Sequence, residues 1–247
     1  MRDPTVVAVI QARMGSTRLP GKVLLRMAGD TVLGHVVRRA LSVRGVDKVV
    51  VATTMLPEDD CLVRVAQEHG AAVTRGPDED VLARYVLAFA EHGGEVGVRV
   101  TADCPCLDPR LVAQGLEHFK ETTPRLDYLS NTVQRSFPRG YDFEVFRIAS
   151  LLVAAAEARD SYSREHVTPF LYRHPERFRI KGLRRDDPKH SADWRLTLDT
   201  ADDGRLLQHL FEALGPINPT FGVADVERYL TANPGVLALN RHVLQEP

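Results

Sequence analysis

The chain has 247 residues, 44% hydrophobic and 26% charged, with a formal net charge of -1 at neutral pH. That length buries a substantial core in one main domain, and the balance of charge leaves no overall basic field for binding along a nucleic-acid backbone, so any polyanion site has to be local. No run approaches the roughly 20 apolar residues of a membrane helix, and Met1 to Thr5 lacks the charged and apolar regions of a signal peptide, which leads to the expectation of a cytoplasmic protein without a membrane partner.

Taken in chain order, the first half alternates short β-branched runs with segments of helical period, the pattern of parallel strands joined by helices. Val6 to Gln11 reads as the first strand. Thr31 to Val43 follows as a helix with Val32, Leu33, Val36, Val37, Ala40 and Leu41 on one face, and Lys48 to Thr53 as a buried strand. Glu58 to His69 reads as a helix and Ala72 to Thr74 as a strand. Asp80 to His92 then reads as a helix and Val96 to Val100 as a strand. From about Asp127 the pattern changes: Tyr128 to Val133 and Phe143 to Phe146 read as strands around a turn at Pro138, Arg139 and Gly140, with a helix from Ala149. The reading is a single domain over 1–247 with a small α+β arm at 127–179. Arg195 to Leu198 reads as a further strand, Ala201 to Leu214 as a helix stopped by Gly215 and Pro216, and Val223 to Thr231 as a last helix. Cys61, Cys104 and Cys106 form an odd set without a Cys-x-x-Cys pair, so they read as reduced thiols, with Cys61 placed in the core.

The strongest local signal is the run Gln11-Ala12-Arg13-Met14-Gly15-Ser16-Thr17-Arg18-Leu19-Pro20-Gly21-Lys22, which follows the first strand and precedes the first long helix. Small Gly15 and Ser16 let backbone amides approach an oxyanion, and Arg13, Arg18 and Lys22 add positive charge, a match for a triphosphate. The spacing is not that of a Walker A loop, because five residues separate Gly15 from Gly21 and Val23 stands where a Ser or Thr would meet magnesium. Nor does a Gly-x-Gly-x-x-Gly follow the strand.

Asp103 sits just past the strand ending at Val100, and Asp199 ends the expected strand Arg195 to Leu198. Ligands in open α/β sheets bind beyond the carboxyl ends of strands, so both aspartates can converge on the cationic loop. Magnesium needs one or two carboxylates beside phosphate oxygens and water, which this pair supplies. The competing reading of each is a cap: Asp103 on a turn or helix before Cys104 and Pro105, Asp199 on the helix from Ala201.

The run from Ile10 to Lys22 resembles the signature of the CMP-sugar-acid synthetase (cytidylyltransferase) family, in the branch of spore coat polysaccharide biosynthesis protein SpsF. The resemblance continues through Arg75-Gly76, Asp80 to Tyr85, Arg99 to Pro105, Gly140 to Phe146, Arg164 to Pro169 and Arg195 to Thr200. It implies a Rossmann-like, doubly wound α/β fold of the nucleotide-diphospho-sugar transferase type. It also implies a homodimer through the 127–179 arm, and transfer of CMP from CTP to a small acidic acceptor with release of pyrophosphate and with Mg2+ as cofactor. Gln11, Ala12, Arg13, Gly15, Ser16, Arg18, Lys22, Arg75, Thr101, Ala102 and Asp103 would then hold the nucleotide, with Arg13, Arg18, Lys22 and Asp103 acting in catalysis and Asp103 and Asp199 on the metal. Arg139, Asp142, Glu144, Arg164, Glu165 and His166 would form the acceptor pocket. His166 has a rival reading as a hydrogen-bonded structural residue, the commoner role of a lone histidine. The open alternatives are a phosphonate or other small acid as acceptor, a nucleotide-sugar glycosyltransferase, and a nucleotide-binding module without catalysis.

Overall fold

The computed structural model describes residues 3–186 and 190–244. Its strands are β1 (Val6–Gln11), β2 (Arg26–Met27), β3 (Asp30–Thr31), β4 (Lys48–Thr54), β5 (Ala72–Gly76), β6 (Val96–Thr101), β7 (Tyr128–Ser130), β8 (Glu144–Arg147) and β9 (Ile180–Gly182). The helices are α1 (Val32–Leu41), α2 (Asp60–Glu68), α3 (Val81–His92), α4 (Pro109–Glu121), α5 (Ile148–Glu157), α6 (Ser161–His166), α7 (Pro169–Tyr172), α8 (Ala201–Leu214), α9 (Val223–Ala232) and α10 (Pro234–Leu237). None of them is long and apolar enough to cross a membrane.

A seven-stranded sheet runs in the order β5-β4-β1-β6-β8-β7-β9, and β2 pairs with β3 as a separate hairpin. Strands β5, β4, β1 and β6 are mutually parallel, whereas β8 joins β6 and β7 joins β8 in antiparallel fashion. The apolar run of β1 explains its central place: Val6, Ala8 and Ile10 face one core cluster while Val7 and Val9 face another. A strand covered by helices on both faces has no polar side to alternate with. Burying each such side chain contributes roughly 1.5–3 kcal/mol. Chain order proceeds from β1 to β4 and β5 on one side, then returns to place β6 on the other. The crevice between the carboxyl ends of β1 and β6, where Gln11 pairs with Thr101, is therefore the topological switch point at which α/β sheets bind ligands.

Three local expectations are corrected. Arg195 to Leu198 is no strand: Arg195 forms an isolated bridge with Arg139, Asn240 donates to Arg195 O at 2.9 Å, and Leu198 N donates to Asp103 O at 2.9 Å. Both edges of β6 are already occupied, by β1 and β8, so this segment is laid across the strand ends instead of entering the sheet. Helix α4 was not among the expected elements, although Asp108 caps it and Leu111, Val112, Leu116 and Phe119 form its buried face. Cys61 is only half-buried, while Cys104 and Cys106 are buried, and all three are free thiols. The segment 127–179 supplies β7 and β8 to the main sheet, and its helices α5 and α7 pack over the cluster that contains Val7 and Val9.

Candidate active site

The cationic loop leaves β1 and is tied to the next strand by a buried acid. Asp59 accepts from Met14 N at 2.7 Å and from the Thr54 hydroxyl, while Ser16 N and Gly21 N both donate to Met14 O, at 2.9 and 3.0 Å. Gly21 closes the loop at φ +70°, a left-handed conformation that a side chain resists. Val23, buried directly after Lys22, then anchors the turn 22–24 in the core. Lys22 is thus presented from a fixed backbone, whereas Arg13 meets Asp78 at 3.2 Å on the surface, a pair of little energetic weight.

Lys22, Asp103 and Asp199, separated by up to 177 positions in sequence, meet at one point. The Lys22 ammonium donates to Asp103 Oδ2 at 2.7 Å and to Asp199 Oδ1 at 2.8 Å, and Arg18 Nη2 reaches the same Asp199 oxygen at 3.0 Å. Thr101 donates to the other oxygen of Asp103 at 2.6 Å. Arg195 binds the other oxygen of Asp199 and holds Asp203 at 3.0 Å through Nε. Neither aspartate is a helix cap: Asp108 caps α4, and Thr200 with Asp203 forms the capping box of α8. Burial works against the charge on Lys22, but Asp103 and Asp199 outweigh it and raise its pKa above 10.5. Burial likewise opposes ionised Asp103, and Lys22 overcomes it, drawing the carboxyl below 3.8. No group of three or more His, Cys, Asp or Glu is placed to hold a metal ion among the described residues. A metal here would rest on these two carboxylates and take its remaining ligands from substrate and water, the donor set that suits magnesium.

These groups line a cavity of about 500 Å³. It is lined by Gln11, Ala12, Arg13, Gly15, Ser16, Arg18 and Lys22 from the end of β1 and the loop after it, by Thr101, Ala102 and Asp103 at the end of β6, and by Arg139, Asp142, Glu144, Glu165, His166 and Asp199 from later in the chain. Arg75 and Arg164 do not line it. The Arg75 guanidinium is engaged by Thr54 O, Leu56 O and Asp60, which ties β5 to the start of α2, and Arg164 joins Ala155 O to Asp80, the cap of α3. Phe143 also lines the cavity. Burial lowers the pKa of His166, so its ring is neutral at pH 7, and it packs on Tyr162 at 4.3 Å.

Five basic or polar residues were missed by the sequence reading. Arg99 bonds Gln11 and Glu144, and Arg84 is buried at the cavity wall beneath Pro77 and Asp78. Arg135 pairs with Asp142 through two bonds of 2.8 and 2.9 Å, Arg195 orients Asp199, and Thr132 lines the cavity. Arg99 carried a visible signal, a charge inside the apolar run Val96 to Val100. Gly140 had one as well: at φ +101° it lets the chain pass Leu196, whose backbone a Cβ would meet at 2.5 Å, and so sets Arg139 beside Arg195.

A doubly wound sheet with this crevice is the Rossmann-like fold of the nucleotide-diphospho-sugar transferase type. The chain belongs to the cytidylyltransferase family, whose profile matches residues 7–212, and is a nucleotidyltransferase that uses CTP. It is 30% identical over 234 residues to spore coat polysaccharide biosynthesis protein SpsF of Bacillus subtilis, covering 93% of this chain and 95% of that protein. The solved structure of a cytidylyltransferase from Leptospira borgpetersenii matches with a TM-score of 0.90 at 32% identity, over 98% of this chain and 99% of that one. A CMP:2-keto-3-deoxy-manno-octonic acid synthetase solved in complex with CTP shares the fold at a TM-score of 0.66 and 20% identity, over 85% and 99% of the two chains.

Proposed function

We propose that this cytidylyltransferase transfers CMP from CTP to an oxygen of a sugar acid or similar acidic metabolite, releasing pyrophosphate, with Mg2+ held by Asp103 and Asp199. The observation that carries the reading is the meeting of the Lys22 ammonium with both carboxylates inside a cavity walled by Arg13 and Arg18. In-line attack on the α-phosphorus calls for positioning and for neutralisation of charge on the phosphate oxygens and leaving group, tasks suited to Arg13, Arg18 and Lys22. Bound magnesium adds Lewis-acid polarisation of the phosphate. Arg139, Glu165 and His166 line the same cavity as this loop, which supports an acidic acceptor held among them. The reading includes a homodimer through 127–179, supported by the exposed Leu152, Val153, Tyr162 and Tyr172 on that segment, and a cytoplasmic setting, in keeping with free thiols.

The test is pyrophosphate release with each of the four nucleoside triphosphates and a panel of acidic sugars and phosphonates. CTP with an acidic sugar should give turnover, and Asp103→Asn should lower it by about 10²- to 10³-fold with the fold intact. Undiminished turnover in that variant would refute the metal assignment. A phosphonate as the better acceptor would replace the sugar acid, and light scattering at monomer mass would remove the dimer.

A further inference from the structure

At the carboxyl end of β1 the Gln11 side chain is gripped by its carbonyl oxygen. Gln11 Oε1 accepts from Arg99 Nε at 3.0 Å and from the Tyr85 hydroxyl at 3.4 Å. Both donors are fixed. Tyr85 is fully buried on α3, and its single hydroxyl proton is shared between Gln11 Oε1 and the nearer Val9 O at 3.2 Å, so the Arg99 bond is the one that sets the amide. Arg99 is ion-paired with Glu144, whose second oxygen accepts from the Thr168 hydroxyl. Turning the Gln11 amide over would set its NH2 against the Arg99 N–H and leave a buried charged donor unpaired, which costs more than the bond itself. The amide is therefore held with its carbonyl on the wall and its NH2 edge toward the cavity.

Direction and chemistry then separate Gln11 from the phosphate loop. Its contacts run across the sheet to β6 and β8, toward Glu144 and His166, while Arg18 and Lys22 turn to Asp199 and Asp103. Both Glu144 oxygens are engaged by Arg99 and Thr168. What this end of the cavity offers a substrate is the pair of Gln11 amide hydrogens, donors that an oxyanion accepts. We propose that Gln11 is a specificity-determining residue for the acceptor, donating from Nε2 to an anionic oxygen of it, and that Arg99 is the positioning residue that sets the amide. This rests on the reading of the protein as a cytidylyltransferase for an acidic acceptor.

The experiment measures pyrophosphate release with CTP and 2-keto sugar acids, starting with 3-deoxy-manno-octulosonate, and CTP affinity by calorimetry. Gln11→Glu keeps an oxygen for Arg99 and Tyr85 but exchanges the donor for a second carboxylate oxygen. The acceptor KM should rise about tenfold or more, with CTP affinity within twofold. Gln11→Met, without added charge, should raise the acceptor KM by about threefold and decides the matter if the Glu variant does not fold. Arg99→Lys, which loses the Nε contact, should shift the acceptor KM in the same direction while sparing CTP affinity. An unchanged acceptor KM in the folded Gln11 variants overturns the proposal, as does weakened CTP affinity in its place, which would make Gln11 a nucleotide contact. Wild-type protein inactive with every acidic sugar would instead sink the reading underneath, a result distinct from either.

Discussion

Replacing Arg195 by Met tests whether the carboxylate centre depends on a buried scaffold. Arg195 is 7% exposed and serves Asp199, itself 8% exposed, and Asp203, which is fully buried. Removing one member of a buried ion pair costs about 3–5 kcal/mol, because the remaining charge has lost both water and partner. Partial compensation exists here. Asp203 keeps Asn240 at 2.8 Å and the amides of Asp199 and Thr200, while Asp199 keeps Lys22 and Arg18. The loss should therefore fall near about 3 kcal/mol, a large share of a total stability of roughly 5–15 kcal/mol. In a chain of this length each kcal/mol moves the melting temperature by about 2–4 °C, so Arg195→Met should melt about 6–12 °C lower, with a matching fall in the urea midpoint. A melting temperature within 2 °C of wild type, a threshold set below the roughly 2–4 °C expected per kcal/mol, would show that the scaffold carries no such energy.

Two further outcomes follow from the same geometry. Asp103 titrates below its ordinary 3.8 in the folded protein, so its contribution is present above that value and is lost as pH falls through the folded pKa. Lys22 titrates above 10.5, so its contribution is complete below that value and is lost as pH rises through the folded pKa. Urea titrations across the pH range should therefore show stability falling off on both flanks, and Lys22→Met should flatten both, because it removes the alkaline titration and the partner that holds the Asp103 carboxyl down; unchanged flanks would contradict the pairing. Arg75→Met should destabilise by about 1–3 kcal/mol, since it strips a donor from Thr54 O and Leu56 O, yet leave the KM for CTP within twofold. A steady-state assay showing a large rise in that KM would return Arg75 to the nucleotide site.

The sequence by itself determined what local pattern can encode. The apolar runs of Val6 to Gln11 and Lys48 to Thr53 specify strands buried on both faces, and the loop from Arg13 to Lys22 announces an anion site, because its charges and glycines lie within one turn of chain. Placing Asp103 at the end of β6 also followed from period alone. The tertiary structure decided which charges are spent on the fold. The resemblance implied binding roles for Arg75 and Arg164, and the structure has their guanidinium groups ending on carbonyls and acids of neighbouring elements. Arg99, Arg135 and Arg195 gained their roles at the cavity only when β6, the 130s turn and the segment before α8 came together. Arg195 to Leu198 has the composition of a strand and was denied the sheet because β6 already had two neighbours. Hydrogen bonds and ion pairs form within about 3 Å in space, and no local period in a chain records which distant carboxylate will arrive beside a given cation.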